Sequence, residues 1–241
     1  MKESFTTTGL IMKKWGYGGG VFNAAAAISR VLLNLQKLQN IQGNFAEIGV
    51  LEGAYTSQLI PLLNKDEICY AIDPYNGMNG LKEPVSKKLA EVCPDNSALE
   101  FIYRSSLDVT SENLHRKGSS GIRFFSIDGD HSENTVLNDL MLARDTIVNG
   151  GIVAVDDYFD KYSPGVSVAM TRYFMEFNQD RLAILISGGN KVFLTTSQEH
   201  SNYRMLMDKY SSIKQSITHP EVNWHGYPVL FVENILQDYL P

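Results

Sequence analysis

The chain has 241 residues, of which 44% are hydrophobic and 20% are charged. This composition is typical of a globular protein, and the length suits one large α/β domain. The formal net charge of -6 argues against a broad nucleic-acid-binding surface. The absence of an apolar run that spans a bilayer, and of a signal-peptide core at the N-terminus, argues against a membrane or secreted protein.

The two cysteines lie in unrelated contexts and do not form a metal-binding pair. Cys69 falls inside a predicted strand, and Cys93 follows a predicted helix. We therefore predict two reduced thiols and a cytoplasmic location.

The first 43 residues are predicted to form an N-terminal arm and a helix. Residues 1–20 are polar and rich in glycine, which favours a flexible arm or a lid segment. Apolar residues then recur at helical spacing over residues 21–39. The alanine run Ala24–Ala27 in this helix has two interpretations: contact with a second subunit in a homo-oligomer, or cover for the sheet or a cofactor.

Residues 44–196 alternate strand and helix patterns and are predicted to form the core of a single domain. The predicted strands are 45–48, 68–72, 99–103, 122–127, 152–155, 182–186 and 191–194, and the main helices are 56–63, 85–92, 135–148 and 166–177. A Gly-Gly-Asn turn joins the last two strands as a hairpin. The expected fold is α/β, a doubly wound Rossmann-like sheet of seven mostly parallel strands that ends in an antiparallel β-hairpin. Residues 197–241 complete the domain as a C-terminal helix and tail.

A glycine turn follows the first strand of this pattern. Glu47, Gly49 and Gly53 are spaced as E-x-G-x-x-x-G before a helix that begins near Thr56. A dinucleotide fingerprint needs a third glycine and no carboxylate at this point, because a carboxylate would repel a pyrophosphate. The Glu47 carboxylate instead suits a ligand with an ammonium group. An ordinary βα turn of another α/β protein is the alternative.

Polar residues also end the next two strands. Asp73 follows the second strand, where an acid accepts hydrogen bonds from the hydroxyls of a ribose. A turn residue before Pro74 is the alternative. Ser106 follows the third strand, where a serine contacts an adenine edge or simply forms part of a solvated turn.

Three acids follow the fourth and fifth strands, which we expect to be neighbours in the sheet. Asp128 ends the fourth strand, and Asp156 and Asp157 end the fifth. Such acids repel one another unless a cation lies between them, and a hard cation such as Mg²⁺ prefers oxygen ligands. His131, three residues after Asp128, is suited to act as a general base near neutral pH. Helix caps for the acids and a structural histidine are the alternatives.

Together these stretches resemble the metal-dependent class I S-adenosylmethionine (SAM) O-methyltransferases. The resemblance is carried by the run from Glu47 to Thr56, by Asp73, and by the segments 127–132 and 150–158, and it is nearest to the macrocin and mycinamicin sugar O-methyltransferases within the catechol O-methyltransferase superfamily. Their fold implies that ligands bind at the carboxyl ends of the strands.

The resemblance implies a role for each of the residues singled out above. SAM is expected to bind to the glycine-turn residues Glu47, Gly49, Gly53 and Thr56 and to Asp73, Ser106 and Asp128. Mg²⁺ or another hard divalent cation is expected to be held by Asp128, Asp156 and Asp157. His131 and Asp128 are the expected catalytic residues. A lysine replaces this histidine in the catechol enzymes, so His131 favours the sugar branch.

These expectations predict a SAM-dependent, Mg²⁺-assisted O-methyltransferase that acts on a small-molecule hydroxyl, in a sugar or a glycosylated natural product. Loops 75–82 and 158–165 are expected to form a lid over the acceptor, or to be plain surface loops. Three alternatives stay open: a metal-independent or nitrogen-directed methyltransferase, a hydroxylase-like relative, and a non-enzymatic binding protein on the same fold.

Overall fold

The computed structural model describes residues 20–93, 95–115, 121–209 and 217–232. The strands are β1 (Asn44–Ile48), β2 (Cys69–Ile72), β3 (Leu99–Ile102), β4 (Ile122–Ile127), β5 (Ile147–Asp156), β6 (Leu182–Gly188), β7 (Lys191–Thr196), β8 (Ile217–Trp224) and β9 (Tyr227–Val232). The helices are α1 (Gly20–Leu38), α2 (Thr56–Leu59), α3 (Lys82–Val92), α4 (Glu133–Thr146), α5 (Pro164–Arg172) and α6 (His200–Lys209). The N-terminal arm predicted before residue 20 lies outside these ranges.

All nine of these strands form one sheet, in the order β3-β2-β1-β4-β5-β7-β6-β9-β8. The first five strands are parallel to one another, and β7 runs antiparallel to both β5 and β6. The order reverses direction between β1 and β4, which is the point at which ligands bind in open sheets of this kind. The α/β fold and the antiparallel hairpin are therefore confirmed.

The predicted number of seven strands was wrong for the described part of the chain. The apolar stretch of the predicted tail forms β9, which pairs in parallel with β6 and antiparallel with β8. The helix predicted over residues 56–63 is also shorter than expected. It ends at Leu59 and continues as a 3-10 turn that contains Pro61, a residue with no backbone N–H to extend an α-helix.

Each face of the sheet carries its own hydrophobic core, because successive strand residues point to opposite faces. In β5, Val153 and Val155 pack on the face covered by α4 and α5, whereas Ile152 and Ala154 pack on the face covered by α1, α2, α3 and α6. The sheet is therefore doubly wound. No helix within the described ranges is long and apolar enough to cross a membrane.

Helix α1 covers the sheet of its own chain. Its alanine run is buried there, which favours the second of the two interpretations of that run. A buried polar network fixes the helix: Gln36 Nε2 donates to the carbonyl oxygen of Arg123 in β4, and the Arg123 guanidinium lies 2.7 Å from Glu67. Because each charge in this network has its partner, burial of the Arg123 side chain does not leave an unpaired charge.

Asp139 of α4 is a buried acid that has no charged partner among the described residues. Its Oδ2 atom accepts no hydrogen bond from the described residues, and burial raises the pKa of this carboxyl to about 7. The folded protein therefore binds a proton here that the unfolded chain releases above its ordinary pKa of about 4. The contribution of this proton to the free energy of unfolding is fully present below about pH 4 and is lost as the pH rises through about 7.

Asp139→Asn should therefore raise the free energy of unfolding at about pH 8, by up to about 4 kcal/mol, and much less at about pH 4.5. Denaturant titrations at the two pH values measure this difference. Asp145→Asn, which removes an exposed acid from the same helix, is the matched control and should show no such pH dependence. An equal effect of Asp139→Asn at both pH values would contradict the assignment.

Candidate active site

The glycine turn after β1 packs directly against the end of β4. Gly49 has a φ of 83°, and a Cβ atom built on it would lie 1.8 Å from the carbonyl oxygen of Asp128. The backbone N–H of Asp128 in turn donates to the carbonyl of Ile48 at 2.9 Å. Glycine at position 49 is thus required both by its conformation and by the close approach of the two strands.

A cavity of about 600 Å³ opens beside this turn, a size typical of small-molecule sites. Six of the predicted site residues line it, namely Glu47, Gly49, Asp73, Ser106, Asp128 and His131. The other four, namely Gly53, Thr56, Asp156 and Asp157, do not. Asn76 and Met78 from the first predicted lid loop also line the cavity.

Glu47 lines the cavity and is almost completely buried. Burial raises the pKa of its carboxyl to about 8, although a hydrogen bond from the Thr56 hydroxyl favours the ionised form. Thr56 therefore contacts Glu47 from behind the cavity wall. Gly53 supports the same turn, since a Cβ atom there would lie 3.0 Å from Leu89 of α3.

Asp73 forms a turn and also lines the cavity. Its Oδ2 accepts a hydrogen bond from the backbone of Leu51 at 2.8 Å, and its Oδ1 accepts one from Tyr75 at 2.7 Å. Both donors have positive φ angles, so the carboxylate holds two unusual backbone conformations. Ser106 is buried in a 3-10 turn after β3, at another part of the same wall.

His131 is held between two acids. Its Nε2 lies 3.3 Å from Asp128 Oδ1, and its Nδ1 lies 3.5 Å from Asp157 Oδ2 and 3.3 Å from the Ser163 hydroxyl. The hydrogen bond with Asp128 raises the pKa of the imidazole, and it outweighs the opposing effect of burial. Ser163 belongs to the second predicted lid loop, so this loop reaches the imidazole.

A lysine lies between Asp128 and Asp156. Lys191, the first residue of β7, places its Nζ 2.7 Å from Asp156 Oδ1 and 3.1 Å from Asp128 Oδ2. Burial favours a raised pKa for Asp128, but the Lys191 charge and the His131 hydrogen bond lower this pKa well below its usual range. Burial keeps the pKa of Asp156 raised despite the same lysine. Lys191 itself is only 3% exposed.

The predicted metal ligands are therefore only partly brought together. One ligand atom each from Asp128, His131 and Asp156 lies within 4.8 Å of the others. Asp157 lies outside this group, and its Oδ1 accepts a hydrogen bond from Asn190 at 3.0 Å. As arranged, the donor set does not fit a divalent cation, because an ammonium group already lies between two of its carboxylates.

Sequence reasoning missed Lys191, Asn190 and Ser163. Ser163 lies in a loop that the sequence singled out, but its contact with the imidazole depends on how α5 begins. Asn190 and Lys191 carried a usable signal, since they join a predicted hairpin turn to its second strand. Only the pairing of β7 with β5 brings them beside the two acids.

Comparison with known proteins indicates what the chain is similar to. Residues 46–158, from β1 to the end of β5, match a family model described as a methyltransferase domain. The uncharacterized protein R132 of Acanthamoeba polyphaga mimivirus is 28% identical over 154 residues, which cover 58% of this chain and 66% of that protein. The match thus spans slightly less than two thirds of that relative.

Several solved O-methyltransferases share the fold. CalS11, described as a TDP-rhamnose 3'-O-methyltransferase of calicheamicin biosynthesis, is 18% identical with a TM-score of 0.56 over 71% of this chain and 76% of that one. The O-methyltransferase NovP is 15% identical with a TM-score of 0.59 over 71% and 79% of the two chains. TomG from Streptomyces achromogenes, solved with SAM, is 17% identical with a TM-score of 0.55 over 80% and 89%. At these identities the likeness concerns the fold.

Replacing Gly49 with alanine should strongly destabilise the protein, because the added Cβ meets the backbone of the Asp128 loop rather than a movable side chain. Gly77→Ala is the matched control, since Gly77 has a similar φ of 73° but open space around its Cβ position. Gly49→Ala should cost about 2 kcal/mol or more beyond the control in denaturant unfolding. Equal costs would show that only backbone strain, and no close approach, constrains the turn.

Proposed function

We propose that this chain is a SAM-dependent transferase that moves the SAM methyl group to a hydroxyl of a small molecule. The proposal is supported by the match of residues 46–158 to a methyltransferase domain and by the fold that the chain shares with SAM-bound TomG. The proposed acceptor is a sugar or a glycosylated natural product. The observation that carries the proposal is the convergence of Glu47, Asp73 and His131 on one cavity at the point where the strand order reverses.

The cofactor is proposed to bind along the cavity from Glu47 towards Asp73 and Ser106. Glu47 is the only one of these groups that is both acidic and deeply buried, so it suits the ammonium group of the methionine end. An approaching ammonium favours the ionised carboxylate, which burial alone disfavours. Asp73 is already fixed by two backbone donors and has its remaining lone pairs for the ribose hydroxyls.

In the proposed reaction the acceptor oxygen attacks the methyl carbon as the carbon–sulfur bond breaks. The sulfur keeps the bonding electron pair, and the hydroxyl proton passes to His131. The imidazole tautomer that donates Nε2–H to Asp128 leaves Nδ1 as the proton acceptor. Asp157 Oδ2, 3.5 Å away, then stabilises the imidazolium. Direct displacement of this kind gains much of its rate from positioning.

We propose that an aromatic cluster that begins directly after Asp157 receives a ring-shaped acceptor. Tyr158, directly after Asp157, packs its ring against Trp224 of β8 with 4.7 Å between centroids. Phe159 and Phe231 extend this aromatic cluster, and Phe159 is 65% exposed. Aromatic walls with few polar groups are typical of small-molecule pockets. The description of CalS11 as a rhamnose methyltransferase supports a sugar acceptor.

Mg²⁺ assistance is the second candidate arrangement. It is supported by the ligand atoms of Asp128, His131 and Asp156, which lie within 4.8 Å of one another. It requires the Lys191 ammonium to leave the pair of acids.

The alternatives from the sequence are separated by product mass. Methylation adds one methyl group to an acceptor from a panel of sugar nucleotides, glycosides and catechols, whereas a hydroxylase adds one oxygen. A methylated amine would indicate nitrogen transfer, and retained SAM with no product from the panel would favour a binding protein. A cytoplasmic location and a homo-oligomer stay predictions.

Glu47→Gln should weaken SAM binding about 10- to 100-fold, because an amide cannot pair with the ammonium group. Isothermal titration calorimetry measures the affinity. Glu83→Gln, at an exposed acid of α3, is the control and should leave the affinity unchanged. Unchanged affinity in Glu47→Gln would remove Glu47 from the proposed cofactor site.

The same carboxyl predicts a pH dependence of SAM binding. With a pKa of about 8 in the free protein, Glu47 must lose a proton before it pairs with the ammonium. SAM affinity should therefore rise from about pH 6 to about pH 7.5, an interval that ends below the ordinary pKa of an α-amino group. The rise should be lost in Glu47→Gln. An affinity that falls over this range would contradict the pairing.

His131→Gln should lower turnover about 100- to 10,000-fold with an acceptor found in the panel, because it removes the proton acceptor. SAM affinity should change only a few-fold. His115→Gln, at an exposed histidine that does not line the cavity, is the control. If SAM binding and turnover fell together, His131 would be a binding residue rather than the base.

A further inference from the structure

Lys191 occupies a position that the fold fixes tightly. It is the residue directly opposite Asp156 in the antiparallel pairing of β7 with β5, so both side chains point to the same face of the sheet. The next two residues of β7 are fully buried, which anchors the strand. The ammonium also lies 4.6 Å from the centre of the Tyr55 ring, a cation–π contact within a desolvated pocket.

The ammonium connects the acids to the imidazole. Lys191 contacts Oδ2 of Asp128, whereas His131 contacts Oδ1 of the same carboxylate. The two oxygens therefore have separate partners, and the lysine limits how the Asp128 carboxylate can rotate. A change at Lys191 is transmitted to His131 through one side chain.

The neighbouring residue of the same hairpin holds the third acid. Asn190 donates from Nδ2 to Asp157 Oδ1 at 3.0 Å, and its carbonyl accepts from the Asp157 backbone at 2.9 Å. The hairpin therefore supplies partners to both members of the Asp156-Asp157 pair. This contact does not involve Lys191. Like the lysine, however, Asn190 occupies a carboxylate oxygen that would otherwise be available as a metal ligand.

We propose that Lys191 is the resident cation of this site and neutralises Asp128 and Asp156 in place of a divalent metal, while Asn190 holds Asp157. Lys191 is a positioning residue, which acts on the reaction through Asp128 and His131. The inference rests on the proposed function for what His131 does, but not for the charge arrangement itself. The chain then transfers methyl groups without a divalent cation at these acids.

Cation binding tests the proposal directly. Mn²⁺ is titrated into the metal-free full chain, and free Mn²⁺ is counted by electron paramagnetic resonance up to about 1 mM, the weak end of protein sites. The unchanged protein should bind no stoichiometric Mn²⁺. Lys191→Met, of similar length but uncharged, should gain one Mn²⁺ site. Its affinity should be at least about 10-fold tighter than the titration limit of about 1 mM. Adding Asp156→Asn to this variant should abolish the gained site.

Two further variants exclude trivial explanations. Lys191→Arg keeps a cation and should not gain the site, and Lys87→Met, at an exposed lysine of α3, should behave as the unchanged protein. If Lys191→Met does not fold, the unchanged protein and Asp156→Asn still decide the question. One equivalent of Mn²⁺ bound by the unchanged protein and lost in Asp156→Asn overturns the proposal.

The proposed function is tested separately on the same preparations. SAM binding and methyl transfer in the presence of EDTA should equal those with added Mg²⁺, and Lys191→Met should shift the pH profile of turnover through His131 while SAM binding persists. If the unchanged protein does not bind SAM, the methyltransferase function is refuted, and the Mn²⁺ result still decides the charge arrangement. If EDTA abolishes methyl transfer and Mg²⁺ restores it, the proposed role of Lys191 is refuted, but the methyltransferase function is not.

Discussion

The site depends on one electrostatic constraint: acids end neighbouring strands of a buried sheet, and each must be compensated where water is scarce. The compensation differs from strand to strand. Asp73 after β2 is held by two backbone N–H groups, whereas Asp128 and Asp156 share the Lys191 ammonium. Glu47 has no cation in contact among the residues that the structure describes, so burial favours its protonated form. It is thus the acid of this set that is left for a cationic ligand.

This compensation needs both halves of the sheet. Parallel strands all bring their last residues to the same edge, so β1, β2, β4 and β5 deliver their acids there. The first residue of a parallel strand would lie at the far edge. An antiparallel strand beside β5 instead places its first residue at the edge where β5 ends. Lys191, at the start of β7, therefore lies beside the last residue of β5. The hairpin therefore contributes to the chemistry of the site as well as to the core.

Local pattern predicted most of the fold and the positions of acids at the carboxyl ends of the strands. Apolar runs of strand length, each followed by a polar residue, indicated the parallel half, and the carboxyl ends of such strands are known to converge. The two last strands were missed because the stretch around Trp224 and Tyr227 has no clear alternation. Lys191 was missed for a different reason. A single lysine before an apolar strand is usually a solvated edge residue, and only the register between distant strands shows that it is buried.

A fixed ammonium has a consequence for how the acceptor is oriented. A hard divalent cation keeps coordination positions open and holds substrate oxygens in them. The Lys191 ammonium is already engaged by two carboxylates and an aromatic ring, so it offers no such positions. On the proposed arrangement the acceptor must be oriented by His131 and by the aromatic cluster around Tyr158 and Trp224. Shape and ring contacts, rather than chelation of two oxygens, would then select the substrate, and acceptors with a single hydroxyl on a ring would be accepted as readily as diols.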